Sequence, residues 1–218
     1  MIIPRVPPPF PLTWGFSTKL DDSGDLPPVR LSQVHGCTVV SASDFIQEAD
    51  GVWTTKPGIR IGVRVADCVP ILLAGFVDGE PWIAALHAGW RGALAGILRG
   101  GIELFRAQGG EFSSLVWSFG PCIQPCHFEV GDEVIQVARQ DSAWNEGLVS
   151  YGSSGATGKP HLDLHGLLRA QALSMGLNPA NEGSVPFCTV CENKLLWSYR
   201  RGDLSERQWG WISIGNPE

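Results

Sequence analysis

The sequence has no apolar run long enough to cross a membrane. Its longest such run extends from Val69 to Val77 and contains Pro70 and Gly75, whereas a membrane-spanning helix needs about eighteen consecutive apolar residues or more. Residues 1–9 also lack a basic stretch followed by a continuous apolar stretch, which is the pattern of a secretory signal. We therefore expect no membrane association and a cytoplasmic location.

Positive charge is also scarce. The chain has 16 lysines and arginines against 22 aspartates and glutamates, which gives a formal net charge of -6. The basic residues form no block or stripe that could follow the phosphates of a duplex. Nucleic acid is therefore not an expected partner.

What is present is enough apolar sequence for one substantial core. Hydrophobic residues make up 44% of the 218 residues, which favours a single domain over 1–218. Five prolines between residues 4 and 11 predict a proline-rich extended arm over 1–13, because proline resists helix formation. Six cysteines without an export signal favour reduced thiols or metal ligands over disulfides.

Hydrophobic periodicity and turn-forming residues predict interspersed helices and strands. Strands are expected at 38–40, 59–65, 69–76, 82–86, 115–119, 195–200 and 209–214, and helices at 92–108, 129–139 and 162–175. The last two strands flank Gly202 and Asp203, which predicts a terminal hairpin. Residues 141–158 are expected to form a surface loop. No regular alternation of strand and helix is present, so mixed sheets in an α/β or α+β fold are favoured over a parallel doubly wound fold.

Three potential metal ligands each stand beside a turn-forming residue. His35 precedes Gly36, Cys68 follows Asp67, and His87 begins a segment that runs to Gly92. As isolated residues in a strand-rich core they are more often structural. The functional alternative is a zinc site with nitrogen, sulfur and nitrogen ligands and an open fourth position, as in catalytic zinc sites.

Arg91 lies where an apolar strand leads into the predicted helix at 92–108. The free backbone N–H groups of a helix start, together with a guanidinium group, suit a phosphate or a carboxylate. In the alternative interpretation, the glycines only form the turn and Arg91 pairs with an acidic neighbour such as Asp67.

Other groups of residues allow further metal or anion sites. Cys122, Cys126, Cys188 and Cys191 could form a four-thiolate structural zinc site, with buried reduced thiols as the alternative. His161 and His165 have helical spacing, but His161 lies at or before the expected helix start, and His165 is expected at the surface or half-buried. Arg200 and Arg201 would point to opposite faces of a strand, so at most one of them could serve a pocket.

Several ordered motifs resemble those of one family. They are Gln33-Val-His-Gly, Ala49-Asp-Gly-Val, Ala66-Asp-Cys-Val-Pro-Ile-Leu, His87-Ala-Gly-Trp-Arg-Gly, Gly120-Pro-Cys-Ile-Gln-Pro-Cys-His-Phe-Glu-Val, Leu162-Asp-Leu, Cys188-Thr-Val-Cys and Ser198-Tyr-Arg-Arg. In this order they resemble the laccase-domain family, also called polyphenol oxidase or YfiH-like purine nucleoside phosphorylase. The resemblance extends from about Trp14 to Ile214.

The resemblance implies a layered α/β/β/α single domain with mixed sheets, like that of a deamidating bacterial toxin. It also implies a metal, usually zinc with copper as an alternative, held by His35, Cys68 and His87. The implied activity is phosphorolysis of adenosine, inosine, guanosine or methylthioadenosine, together with adenosine deamination. Copper-dependent phenol oxidation and a non-catalytic metal-binding role linked to peptidoglycan editing are the alternatives. A conventional multicopper centre is excluded, because the five histidines are too few for its copper ions.

On this basis the expected partners are a nucleoside and phosphate, and the expected state is a monomer or a weak homo-oligomer. Arg91, with Arg200 or Arg201, would bind phosphate, and Asp67 would orient His87 or Arg91. The segment 19–32 is shorter than in related proteins and lacks stretches that help to wall their pocket. Relatives also commonly carry a second cysteine at the position of His127.

Overall fold

The computed structural model describes residues 1–21, 31–151 and 158–215. Its strands are Leu12–Phe16 (β1), Leu31–Ser32 (β2), Val39–Ser41 (β3), Gln47–Glu48 (β4), Gly51–Thr54 (β5), Arg60–Val65 (β6), Val69–Val77 (β7), Glu80–Ala88 (β8), Val116–Phe119 (β9), Val149–Tyr151 (β10), Pro160–Leu162 (β11) and Gln208–Ile214 (β12). Its α-helices are Trp90–Ala95 (α1), Ile97–Ala107 (α2), Asp132–Ala138 (α3) and Leu164–Ser174 (α4). The expected mixed α/β architecture is confirmed.

A five-stranded sheet in the order β3-β5-β8-β7-β9 forms the centre of the fold. The β3–β5 pair is parallel and the other pairs are antiparallel, so the sheet is mixed. Strands β7 and β8 form a long hairpin whose turn contains Asp78 (φ 50°) and Gly79 (φ 79°). Positive φ at both central turn residues matches the right-handed twist of the flanking strands.

The two faces of the central sheet pack against different layers, because side chains alternate along a strand. Ile71 and Leu73 of β7 join the core formed with the helices. Leu72 and Ala74 join a second core, formed with a three-stranded antiparallel sheet in the order β1-β12-β6. The central sheet is therefore covered by helices on one face and by a second sheet on the other.

The expected terminal hairpin is wrong. Strand β12 pairs with β1 and β6, and residues Tyr199–Arg201 form a 3-10 turn. The backbone of the region 195–203 folds on itself: the Leu195 N–H donates to the Glu192 carbonyl, and the Asp203 carboxylate accepts from the Ser198 N–H. These local bonds take the place of the bonds that a strand partner would supply.

The helix expected at 92–108 is two helices, α1 and α2, separated by Gly96 in a left-handed conformation (φ 92°). The helices expected at 129–139 and 162–175 are present as the shorter α3 and α4. The loop expected at 141–158 contains a 3-10 turn, Glu146–Leu148, and strand β10, which pairs with β11. Residues 152–157 of this loop, and 22–30 of the segment 19–32, lie outside the described residues.

The proline-rich arm packs on the second sheet. Ile2 and Phe16 exchange backbone hydrogen bonds at 2.8 Å each, and the Arg5 N–H donates to the Gly183 carbonyl. Phe10 and Leu12 are buried in the core between the sheets. In the part of the chain that the structure describes, every helix is too short or too polar to cross a membrane.

Candidate metal centre and cavity

The fold brings His35, Cys68 and His87 together, and we call these three residues the metal triad. His35 follows β2, Cys68 lies in the turn between β6 and β7, and His87 lies near the end of β8. One ligand atom from each lies within 4.8 Å of the others. The two imidazole rings meet edge to face, with their centroids 4.8 Å apart. These distances suit a single metal ion with nitrogen and sulfur ligands.

A buried carboxylate, Asp50, holds two parts of the metal triad. His87 Nδ1 donates to Asp50 Oδ1 at 2.7 Å, and both side chains are almost completely buried. The same carboxylate accepts the backbone N–H groups of His35 at 2.9 Å and of Gly36 at 2.7 Å. Because Asp50 occupies Nδ1 of His87, Nε2 is the nitrogen left for a metal.

Electrostatic interactions shift the pKa values of Cys68 and His87 in the metal triad and of the neighbouring Asp50. Burial disfavours the Cys68 thiolate, but hydrogen bonds from His35 and His87 outweigh burial and lower the pKa of Cys68 to about 7. Burial likewise opposes charge on His87, but Asp50 and Cys68 raise the pKa of His87 to about 9. Hydrogen bonds from His87 and the Gly36 backbone outweigh burial and lower the pKa of Asp50. A thiolate is the form of cysteine that binds metal.

The backbone around the metal triad is strained and closely packed. His35 (φ 62°) and Asp67 (φ 86°) are non-glycine residues in the left-handed region, which is sparsely populated and concentrated at functional sites. A Cβ atom at position 89 would lie 3.0 Å from Cδ2 of His35 and 3.1 Å from Sγ of Cys68. Glycine at position 89 therefore lets the backbone pass directly beside the ligands.

The metal triad opens into a cavity of about 540 Å³, a size typical of small-molecule sites. Three arginines contribute to its wall: Arg64, Arg200 and Arg207. Phe128 and Tyr199 provide aromatic surface in the same cavity. The side chains of its wall suit a ligand with both a planar apolar part and an anionic part.

Arg91 lines a smaller neighbouring cavity of about 250 Å³, which shares His35 and Cys68 with the larger one. Its guanidinium group lies over the Trp90 ring, 4.3 Å from the ring centroid. Arg91 is exposed and stands in the first turn of α1. His35 and Cys68 of the metal triad therefore line both the cavity that contains Arg91 and the cavity that contains the other three arginines.

The expected role of Asp67 in orienting His87 or Arg91 is wrong. Its carboxylate accepts from Thr189 Oγ1 at 2.6 Å and from the Arg200 backbone N–H at 2.7 Å. The carboxylate that orients His87 is Asp50, which sequence reasoning missed although its motif, Ala49-Asp-Gly-Val, was noted. Asp67 instead supports the turn that carries Arg200.

Arg200 and Arg201 both lie in the 3-10 turn, and among the described residues only Arg200 of the two belongs to the cavity wall. The Arg200 guanidinium donates to the carbonyls of His127 at 3.4 Å and Glu129 at 3.1 Å. Arg207, which the sequence did not single out as a site residue, joins it in the wall.

His161 and His165 do not share a helix face. His161 lies in β11 and its Nδ1 bonds the Pro125 carbonyl at 2.6 Å, whereas His165 lies in α4, edge-on to Phe119. His165 is half-buried, as expected. The four cysteines also separate: Cys126, Cys188 and Cys191 cluster with His127, while Cys122 Sγ is buried and accepts from Gln124 Nε2.

Sequence comparisons relate the chain to several named proteins. A family model described as multi-copper polyphenol oxidoreductase laccase matches residues 19–215. The chain is 35% identical over 191 residues to purine nucleoside phosphorylase PA4543 of Pseudomonas aeruginosa, covering 87% of this chain and 75% of that protein. It is 36% identical over 186 residues to adenosine deaminase RL5 from an unknown prokaryotic organism, covering 79% of this chain and 69% of that protein.

Solved structures share the fold. The crystal structure of YlmD from Geobacillus stearothermophilus aligns with a TM-score of 0.80 at 23% identity, covering 96% of this chain and 94% of that chain. Neisseria meningitidis protein NMB0706 aligns with a TM-score of 0.70 at 29% identity, covering 88% of this chain and 76% of that chain. The architecture described above is therefore shared over most of the chain.

Proposed function

Because this chain belongs to the multi-copper polyphenol oxidoreductase laccase family, we propose that it is a metal-dependent purine nucleoside enzyme. It cleaves adenosine, inosine, guanosine or methylthioadenosine with phosphate, and it also deaminates adenosine. The names of the relatives, purine nucleoside phosphorylase and adenosine deaminase, support this class of substrate. The small-molecule substrates and the acidic chain agree with a cytoplasmic enzyme.

The residues of the metal triad fit a zinc ion. Two imidazoles and a cysteine with a lowered pKa are borderline-soft ligands of the kind zinc prefers, and three protein ligands leave one position open. Bound there, zinc supplies Lewis-acid character and lowers the pKa of a water molecule. Copper accepts the same ligands, so it competes with zinc for the site.

One observation carries the proposal: the metal triad opens into a cavity of about 540 Å³ whose wall includes three arginines and two aromatic side chains. Phe128 and Tyr199 provide the surface for the purine ring. Arg200 and Arg207 hold the phosphate by charge-assisted hydrogen bonds. Arg91 lines the neighbouring cavity together with His35 and Cys68 and is a second phosphate candidate.

In phosphorolysis, a phosphate oxygen bonds to the anomeric carbon of ribose while the bond from that carbon to the purine nitrogen breaks and its electron pair passes to the base. Negative charge decreases on the attacking phosphate and develops on the departing base, which takes up a proton as it leaves. The arginines position the phosphate for attack and offset its charge, so catalysis comes mainly from orientation and electrostatics. Asp50 contributes by fixing His87, and Asp67 by fixing the turn of Arg200.

The test is to incubate zinc-loaded protein with adenosine, with and without phosphate, and to separate the products by chromatography. Adenine and ribose 1-phosphate are expected only with phosphate, and inosine is expected with or without it. The control is a His87→Ala variant, which should form neither product. Failure of the zinc-loaded protein to release the free base from any nucleoside of the set, together with failure to form inosine from adenosine, would contradict the proposal.

A further inference from the structure

A second group of potential metal ligands lies outside the metal triad. Cys126 and His127 come from the turn after β9, and Cys188 and Cys191 come from a turn near the carboxyl end of the chain. Backbone bonds join the two turns: the Cys122 N–H donates to the Phe187 carbonyl, and the Thr189 N–H donates to the Cys122 carbonyl. The polypeptide therefore brings these side chains together without help from a ligand.

We propose that Cys126, His127, Cys188 and Cys191 form a second metal site, of the closed structural type, that binds zinc and fixes one wall of the cavity. We call these four residues the thiol cluster. Three thiolates and one imidazole are a complete tetrahedral ligand set for zinc and leave no position open for a substrate or a water molecule. The site depends on neither the metal triad nor the proposed activity.

The distances within the thiol cluster match the edges of a zinc tetrahedron. Zinc–sulfur bonds of about 2.3 Å and zinc–nitrogen bonds of about 2.0–2.1 Å give edges of about 3.8 Å between sulfurs and about 3.5 Å between sulfur and nitrogen. Cys126 Sγ lies 3.6 Å from Cys188 Sγ and 3.8 Å from Cys191 Sγ. His127 Nδ1 lies 3.2 Å, 3.7 Å and 3.5 Å from the sulfurs of Cys126, Cys188 and Cys191.

A disulfide does not describe this arrangement. A disulfide joins its sulfurs at about 2.05 Å, whereas Cys126 Sγ lies 3.6 Å from Cys188 Sγ and 3.8 Å from Cys191 Sγ, and the ligand atoms of all four residues lie within 4.8 Å of one another. All six cysteines are free in the structure. Cys126, His127 and Cys191 are exposed, so a metal ion can reach the thiol cluster from solvent.

The thiol cluster ties together two segments that line the cavity. Cys126 and His127 immediately precede Phe128, and the turn of Cys188 and Cys191 leads to Tyr199 and Arg200. The Arg200 guanidinium crosses between the segments to the carbonyls of His127 and Glu129. A metal ion at the thiol cluster would therefore hold Phe128 and Arg200 in a fixed relationship.

Metal content provides the first test. Wild-type protein purified with zinc and measured by native mass spectrometry should bind two zinc ions per chain. Cys191→Ser should bind one and melt at a lower temperature, because a structural metal contributes directly to folding. Cys37→Ser is the matched control: Cys37 is also an exposed cysteine but stands outside both groups of ligands, so this variant should bind two.

Thiol labelling of the wild-type protein tests the proposal without relying on a variant that folds. In zinc-loaded protein, alkylation of Cys126 and Cys191 should be at least about tenfold slower than alkylation of Cys37, because a metal-bound thiolate is shielded from the reagent. A chelator should abolish this protection, and added zinc should restore it.

Three results would overturn the proposal. The first is a single zinc that is lost in His87→Ala and kept in Cys191→Ser. The second is alkylation of Cys126 and Cys191 at the rate of Cys37 in zinc-loaded protein. The third is a mass about two hydrogens lower than that of the reduced chain, with the missing hydrogens mapped to these cysteines, which would identify a disulfide.

Discussion

Asp50 and His87 form a buried pair in which Nδ1 of the imidazole donates to the carboxylate at 2.7 Å. The same carboxylate accepts the backbone N–H groups of His35 and Gly36. A single side chain therefore sets the ring orientation of one metal ligand and the backbone position of another. Such supporting partners commonly decide how tightly a metal is held.

Asp50→Asn should weaken zinc binding at the metal triad by about 10- to 100-fold and destabilise the fold by about 3 kcal/mol, because the substitution breaks a buried charged pair. The measurements are zinc affinity by competition with a chelator and chemical denaturation. Asp67→Asn is the matched control. Asp67 contacts Thr189 and the Arg200 backbone, so this variant should keep its zinc. Equal loss in both variants would contradict the assignment to Asp50.

Replacing each member of the metal triad should remove the metal held there. His35→Ala, Cys68→Ala and His87→Ala each delete one of three ligands whose atoms lie within 4.8 Å of one another. Each variant should lose most of one zinc per chain, measured by elemental analysis after dialysis. Full zinc content in all three variants would show that the metal resides elsewhere in the chain.

Arg200→Ala should raise the phosphate concentration needed for half-maximal phosphorolysis by about tenfold or more, because a charge-assisted hydrogen bond contributes about 1.5–3 kcal/mol. Arg201 is the neighbour of Arg200 in the same 3-10 turn, and Arg201→Ala should change the phosphate concentration for half-maximal phosphorolysis little. Arg91→Ala should raise the phosphate requirement if the smaller cavity also takes part, with zinc content intact. Equal loss of phosphate-independent deamination in Arg200→Ala would show that Arg200 acts structurally.

Any oxidation of phenols should require added copper and should be slow. The chain has five histidines, too few for the copper centres that reduce dioxygen by four electrons. Because zinc and copper would compete for the metal triad, zinc added to copper-loaded protein should suppress oxidation while it restores nucleoside cleavage. Rapid oxidation by the protein as isolated, insensitive to zinc, would identify a genuine copper oxidase.

His165 should make the protein less stable in weak acid. Burial lowers the pKa of His165 below its usual 6.5, and its Nε2 is buried without a hydrogen-bond partner among residues of the described ranges. As the pH falls below about 6.5, the unfolded chain binds a proton at this histidine before the folded chain does, so stability decreases. His165→Gln should therefore flatten the dependence of the unfolding free energy on pH below about 6.5. An unchanged slope would contradict this account.

The sequence indicates that His35, Cys68 and His87 belong together, because each stands beside turn-forming residues and because the motifs that contain them resemble those of a metal-binding family; the structure brings the three side chains together. Asp50 could not be assigned its role, because that role depends on which strands pair. Asp50 precedes β5, and the pairing of Gly51 with Leu86 of β8 sets the carboxylate beside His87. Spacing along the chain contains no information about such a neighbour.

The predictions of a terminal hairpin and of a four-thiolate site disagree with the structure for related reasons. The apolar residues near 195–200 resembled a strand, but side-chain and turn hydrogen bonds satisfy the backbone there. The spacing of Cys122 and Cys126 suggested a pair of ligands. The backbone of Cys122 instead forms an isolated β-bridge with the backbone of Cys188, and the Cys122 side chain is buried in the core. In both cases tertiary contacts override a local pattern.

The position of Asp50 at the start of a central strand also determines how the metal triad can open. The His87 N–H donates to the Asp50 carbonyl at 2.7 Å, so the ligand and its support share the hydrogen-bond ladder of the five-stranded sheet. Amide groups in such a ladder exchange with solvent only when a large part of the fold unfolds, whereas exposed turns open by local fluctuation. The backbone that carries His87 and Asp50 should therefore stay in place when metal leaves the triad, whereas the surface turns of the thiol cluster should open by local fluctuation once their metal is removed.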